Sequence, residues 1–288
     1  DCYNLRSVEG FGSVECIDIS GCKRLWDISP LAGVKQLVAS GCFDIDEVNH
    51  LAAAQVLILH GCTSVVDVSG LGDVLTLDLS KTSVRDVSCL SHVCTLNLAG
   101  TKVADVSMLS HVHTLDISDC KLIHNVQGLE SVHTLVAAST NITDVQPLSS
   151  VHTLDLTNCH RLTDVRALEH VTNLTLKKCI RVTDVSALGN VTSLDLSYCS
   201  KIRDVSTLGN VRDLNLSGCI SIGHDVSCLT NVHHLDLTGC KQVTQGFFAL
   251  ANAITLKLSL TGVCDHDLSH LASVETLFLR LTSVSRVD

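Results

Sequence analysis

Large rings and proline are nearly missing from this 288-residue chain: aromatics make up 3%, Pro occurs twice and Trp once. With hydrophobic residues still at 45%, the interior has to be a narrow aliphatic seam of Leu, Val, Ile, Ala and Cys. Positive charge is also scarce, since 20 Lys and Arg against 30 Asp and Glu leave a formal charge of −10. That balance argues against DNA, RNA or an anionic membrane as partner, because those need clustered Lys and Arg. Long apolar runs are absent too. A membrane span takes roughly 18 consecutive apolar residues, and LAAAQVLIL at 51 to 59, among the longest stretches here, carries a Gln. The opening DCYNLRSVEG does not read as a secretory signal. No C-x-x-C pair, phosphate-cradling glycine loop, nucleophile elbow or pair of catalytic carboxylates stands out.

What is present is one unit written about fourteen times, V-x-x-L-x-L-x-x-C-x-x-I-x-D-V-S-x-L-x-x, as in VTSLDLSYCSKIRDVSTLGN at 191 to 210. Its first residue recurs from Val14, Val34 and Ala54 through Val151, Val171 and Val191 to Val274, in steps of 19 to 21 residues. Self-similarity at such a period predicts a solenoid. A stacked array grows by addition, so residues 1 to 288 read as a single domain. The sequence starts and stops inside a repeat: Cys2, Leu5 and Val8 match Cys22, Leu25 and Ile28, and the last unit breaks off at Val284 to Asp288. Solenoids need polar terminal caps and neither end reads as one, so the chain is expected to be a piece of a longer protein.

Each unit divides into an outward and an inward set. In VHTLDLTNC (151 to 159) strand alternation sends Val151, Leu154 and Leu156 inward and Thr153, Asp155 and Thr157 outward. Strands of successive units pair in parallel, about 4.8 Å apart. The return HRLTDVRALEH puts Leu162, Val165 and Leu168 into the seam and is too short for a full helix. Turns, 3₁₀ pieces or at most one helical turn are expected after a recurrent Asp, which runs from Asp27 and Asp67 to Asp204 and Asp225 and reads as an N-cap.

This pattern resembles the leucine-rich repeat superfamily. The resemblance implies an α/β solenoid: a right-handed superhelix with a concave parallel β-sheet, one short strand per repeat, and short turn and 3₁₀ segments on the convex side. The D-V-S-x-L return is similar to internalin-type bacterial repeats, and the Cys followed by I-T-D to the cysteine-containing repeats of F-box proteins. LGNVTSLDLSYC and LSHVHTLDISDC are similar to long arrays encoded by unicellular eukaryotes and large DNA viruses. In leucine-rich repeats the position held here by Cys2, Cys22, Cys42, Cys62, Cys120, Cys159, Cys179, Cys199, Cys219 and Cys240, or by Thr82, Thr101, Thr140, Thr261 and Thr282, points inward and bonds the backbone of the neighbouring turn. Ten of the fifteen cysteines thus form a ladder, expected to be buried, inert and free. Reduced thiols imply a reducing compartment, cytoplasm or nucleus.

Zinc is the sharper reading of the cysteines, but their spacing of about 20 residues is the repeat itself, and no metal or cofactor is expected. The histidines at His92, His111, His113, His133 and His152 follow from duplication in the same way. Cys264, Asp265, His266 and Asp267 read as a loop variation in place of a D-V-S return. The outward strand face is left as the candidate partner-binding surface: Asp78, Asp116, Asp155, Asp195 and Asp236, interrupted by Lys177 and Lys178, with Tyr198 as an anchor beside them. Departures from the polar template also fall at Val38, Val56, Ile58 and His60, at Val136 and Thr175, and at Lys257, Phe278, Arg280 and Leu281. The expected function is a non-enzymatic protein–protein interaction scaffold, a monomeric module of a larger chain, binding a protein with a basic patch on its concave face. The alternatives are the substrate-recognition arm of a ubiquitin ligase and a surface adhesin. Asp195→Ala is expected to cost little stability, or to relieve repulsion.

Overall fold

The computed structural model describes Cys2 and residues 4 to 280; Leu281 and Thr282 lie outside the described residues. Contacts divide the chain into two compact units, Asp1–Asn141 and Ile142–Asp288.

The first unit holds seven strands of three residues each: β1 Cys16–Asp18, β2 Gln36–Val38, β3 Val56–Ile58, β4 Thr76–Asp78, β5 Thr95–Asn97, β6 Thr114–Asp116 and β7 Thr134–Val136. They pair in parallel in chain order with the central Leu or Ile of each strand in register, as in Leu37↔Leu57 and Leu96↔Leu115. The second unit repeats this with β8 Thr153–Asp155, β9 Asn173–Thr175, β10 Ser193–Asp195, β11 Asp213–Asn215, β12 His234–Asp236, β13 Thr255–Lys257 and β14 Thr276–Phe278. These too are parallel neighbours in chain order. Alternation is as the sequence predicts: Val151, Leu154 and Leu156 are buried, while Thr153, Asp155 and Thr157 are half-buried on the other face.

The returns are mostly 3₁₀ turns of three to five residues, among them Arg166–Leu168 and Ser186–Asn190. The recurrent Asp does hold them, from one residue farther out than an N-cap. Asp27, Asp86, Asp164 and Asp204 each accept the backbone N–H two residues on, at 2.8 to 3.0 Å. An Asx turn of this kind needs only a short carboxylate side chain reaching over its own backbone, and it leaves the Val or Ile between as the capping residue. The segment expected to be a loop is instead a one-turn helix, α1 Asp265–Leu268. The Cys264 backbone N–H and Sγ both meet the Asp267 carboxylate, at 2.9 and 3.0 Å, so the apparent catalytic cluster is a capping box.

The ladder is built as expected where a rung lies beneath it. Cys199 Sγ donates to Leu176 O and Cys219 Sγ to Leu196 O, each at 3.0 Å, and Cys42, Cys62, Cys120, Cys179 and Cys240 make the same reach to the preceding rung. Threonine fills the position with a different partner. Thr82, Thr140 and Thr261 donate to the carbonyl three residues back in their own unit, at 2.6 to 2.8 Å. All fifteen cysteines are free, and Cys2, the first of the ladder, is exposed. Burial raises the thiol pKa at Cys62, Cys199 and Cys240 to about 12 and also raises that of Cys179 and Cys219.

Candidate functional site

A three-residue strand offers two outward positions, and the second of these is the predicted acidic row. Asp78, Asp116, Asp155, Asp195 and Asp236 all stand there, half-buried. Each has an internal task that the sequence reading missed. Asp155 accepts the Thr157 N–H and Asp195 the Ser197 N–H at 2.7 Å, Asp78 and Asp116 the amides of Ser80 and Ser118 at 2.8 Å, and Asp236 that of Thr238 at 2.9 Å. Asn97 and Asn215 do the same with their amide oxygens. The row therefore closes the turn that follows every such strand. Against the expectation that Asp195→Ala costs little stands the Ser197 bond, since removing the carboxylate would strip a buried backbone amide of its acceptor. The available signal was D-x-[ST], which recurs after both the strand and the return.

Lys177 follows the strand face, half-exposed, but Lys178 and Tyr198 do not lie on it. They occupy the third position past β9 and β10, in the left-handed region at φ 59° and 62°, where other rungs place Gly21, Gly41, Gly218 or Gly239. β9 ends at Thr175 and β10 at Asp195, so Lys178 and Tyr198 lie in the turn at the edge of the sheet. Tyr198 is 52% exposed, and its ring runs along that edge over Gly218 of the next rung, close enough that a Cβ there would meet ring carbons at 2.7 and 2.9 Å. It is an edge residue rather than an anchor beside Asp195.

On the second unit the outward face of β9 to β13 forms a hollow of about 400 Å³, lined by Asp195, Asp213, Asn215, His234, Asp236 and Lys257 over strand backbone whose leucines, Leu194, Leu214 and Leu235, are buried on the inward side. Asn215 Nδ2 donates to Asp195 Oδ2 at 3.2 Å. Lys257 Nζ lies 3.2 Å from Asp236 Oδ2, and His234 Nε2 lies 3.9 Å from Asp213 Oδ1. Three carboxylates against one lysine and one imidazole leave the hollow anionic. On the first unit the departures Val38, Val56 and Ile58 meet on β2 and β3 as a half-buried apolar strip. Beside it His60 Nδ1 is 2.7 Å from Ser80 Oγ, which donates to Asp78. That chain joins catalytic residue types in an order that spends the serine proton on the carboxylate, so the hydroxyl is not activated as a nucleophile. His113 and His133 stack at 4.8 Å with rings 7° from parallel, the row that duplication predicts. Among the described residues no helix is long and apolar enough to cross a membrane.

No family model matches the chain, and no curated protein matches it in sequence. Solved structures do. An internalin of Listeria monocytogenes, inlF, is 17% identical with a TM-score of 0.69, covering 90% of this chain and 84% of that one. The functional domain of InlJ from the same organism, described as including a cysteine ladder, is 19% identical at TM-score 0.68 over 96% of this chain and 65% of that chain. A leucine-rich repeat protein of Leptospira interrogans is 15% identical at TM-score 0.57, with 98% and 95% covered. The repeat period, the inward ladder, the parallel register and these likenesses together show that the chain has the leucine-rich repeat fold.

Proposed function

We propose that the chain is a non-enzymatic scaffold that binds a protein partner on the outward face of its strands, and that the partner presents a basic patch. The observation that carries this reading is the anionic hollow over β9 to β13, where Asp195, Asp213 and Asp236 stand on neighbouring strands. Aligned carboxylates raise the encounter rate with a cation-bearing partner and make binding weaken with salt, since screening acts over about 8 Å at physiological ionic strength. One structural neighbour was solved in complex with single-stranded RNA; here the acidic face favours a basic protein instead. The free thiols support a reducing compartment as the setting.

The test is capture of partners from the source organism followed by affinity against salt for Asp155→Asn, Asp195→Asn and Asp236→Asn. Asparagine keeps the acceptor for the turn amide and removes the charge. Each change should weaken binding about threefold at low salt. A partner indifferent to all three and to salt would place the site elsewhere.

A further inference from the structure

The turns that leave β8, β9 and β10 carry a line of positive charge that the fold does not use. The second residue after the ladder cysteine is Arg161, Arg181 and Lys201 on these adjacent rungs, and all three are exposed. The rungs stay in register through the turn: the Asn158 N–H donates to Lys177 O, and the Lys178 N–H to Ser197 O, both at 2.8 Å. Neighbouring backbones are then about 4.8 Å apart, a spacing at which like charges repel. Lys178, Arg203 and Lys241 widen the strip. None of these six cations is in a salt bridge among the described residues, whereas Arg166 is held by Asp164 at 2.6 Å. No Asp or Glu occurs in 156 to 163, 176 to 183, 196 to 203, 216 to 224 or 237 to 244. The repeat template does not demand this, because the same position reads Arg24, Asp44 and Ser64 after β1, β2 and β3.

Apolar surface accompanies the charge. Ile180, Tyr198 and Ile220, on three successive rungs, are 43%, 52% and 54% exposed. Next to them Lys201, Arg203, Thr183, Ser221 and Asp204 line a hollow of about 440 Å³. One Asp204 oxygen accepts the Ser206 N–H at 2.8 Å, so the cations and hydroxyls dominate what the hollow offers a ligand.

We propose that this sheet edge is a second binding surface, distinct from the strand face, and that it takes an acidic, apolar-containing extended segment of a partner protein. Carboxylates would lie along Arg161, Arg181 and Lys201 while apolar side chains rest on Ile180, Tyr198 and Ile220. Five rungs span about 19 Å, the reach of about six extended residues. A nucleic acid fits less well. The strip is bounded by Asp155, Asp195 and Asp236 on the sheet side and by Asp164, Asp184 and Asp204 on the return side, which repel a broad polyanion, and it offers one aromatic ring where single strands use several for stacking.

The experiment is fluorescence anisotropy of the whole chain with three labelled probes: a ten-residue alternating Glu-Leu peptide, its Lys-Leu counterpart, and a ten-nucleotide single-stranded RNA. The Glu-Leu peptide should bind. Combined Arg161→Glu, Arg181→Glu and Lys201→Glu should weaken it about tenfold, and Asp195→Asn should not weaken it. Tyr198→Ala, which leaves every charge in place, should reduce affinity at low and high salt alike. A Glu-Leu peptide that does not bind, or binds the reversed variant equally, overturns the proposal, as does RNA binding more tightly than the peptide and losing affinity in the same variant. None of these outcomes depends on the acidic strand face, whose own test uses the Asp→Asn series.

Discussion

At the scale of single residues the strand-face aspartates have two demands on one side chain. Asp195 gives one oxygen to the Ser197 N–H at 2.7 Å and the other to Asn215 Nδ2 at 3.2 Å, so an incoming cation must share a carboxylate already in use. Ser197 is only 2% exposed, and water is a poor substitute for the lost acceptor. Asp195→Ala should therefore lower the unfolding free energy by about 1 kcal/mol in urea titration, and Asp195→Asn by much less. Equal stability of Ala, Asn and wild type would mean that the turn does not need the side chain. The return aspartates are held in the same way. The backbone amide of the residue two positions on is the main cause that lowers the pKa of Asp67, Asp86, Asp105, Asp184 and Asp204 below 3.8, while at Asp164 Arg166 brings it to about 2. A depressed carboxylate stabilises the fold above its unfolded value, and that contribution is lost as pH falls through the folded one.

The repeating element is the rung, and its stability rests on the inward set rather than on the charges. Leu196 is fully buried and its carbonyl receives the Cys219 thiol at 3.0 Å. Leu196→Ala should cost about 2 to 5 kcal/mol, well beyond Asp195→Ala, by the same urea measurement; the reverse order would mean that the faces are misassigned. This inward pattern was legible in the sequence because alternation and a fixed period leave each Leu, Val and Cys one place to go. The Asx turns were not legible as structure on the strand side: a carboxylate two residues before a serine reads as surface charge until the turn brings the amide back. Lys178 and Tyr198 were misplaced for a related reason, since L-x-L-x-x gives no sign of where the strand stops, and the three-residue length excludes both. The line Arg161, Arg181, Lys201 was visible in spelling and hidden by the net negative charge.

Taken over the whole molecule, the ladder makes stability fall in alkali. Thiols ordinarily near 9.0 are raised by burial to about 12 at Cys62, Cys199 and Cys240. Such a group favours the fold fully below the unfolded pKa, and the unfolded chain loses protons first as pH rises, so this contribution declines from about pH 9 toward 12. Urea midpoints should drop across that window, less steeply in a variant with Cys62, Cys199 and Cys240 all changed to Thr; identical slopes would mean that the thiols ionise in the native state. Charge is segregated over the second unit: an acidic strand face, a basic edge, an acidic row of returns. Function on this account follows that segregation. The most direct test is carbodiimide cross-linking of the whole chain to the alternating Lys-Leu and Glu-Leu peptides, with the joined residues read by mass spectrometry. The Lys-Leu peptide should join Asp195, Asp213 and Asp236 on the strand face, and the Glu-Leu peptide Lys178 and Lys201 on the edge. Both peptides joining the same residues, or linking evenly over every exposed Asp and Lys, would contradict the account.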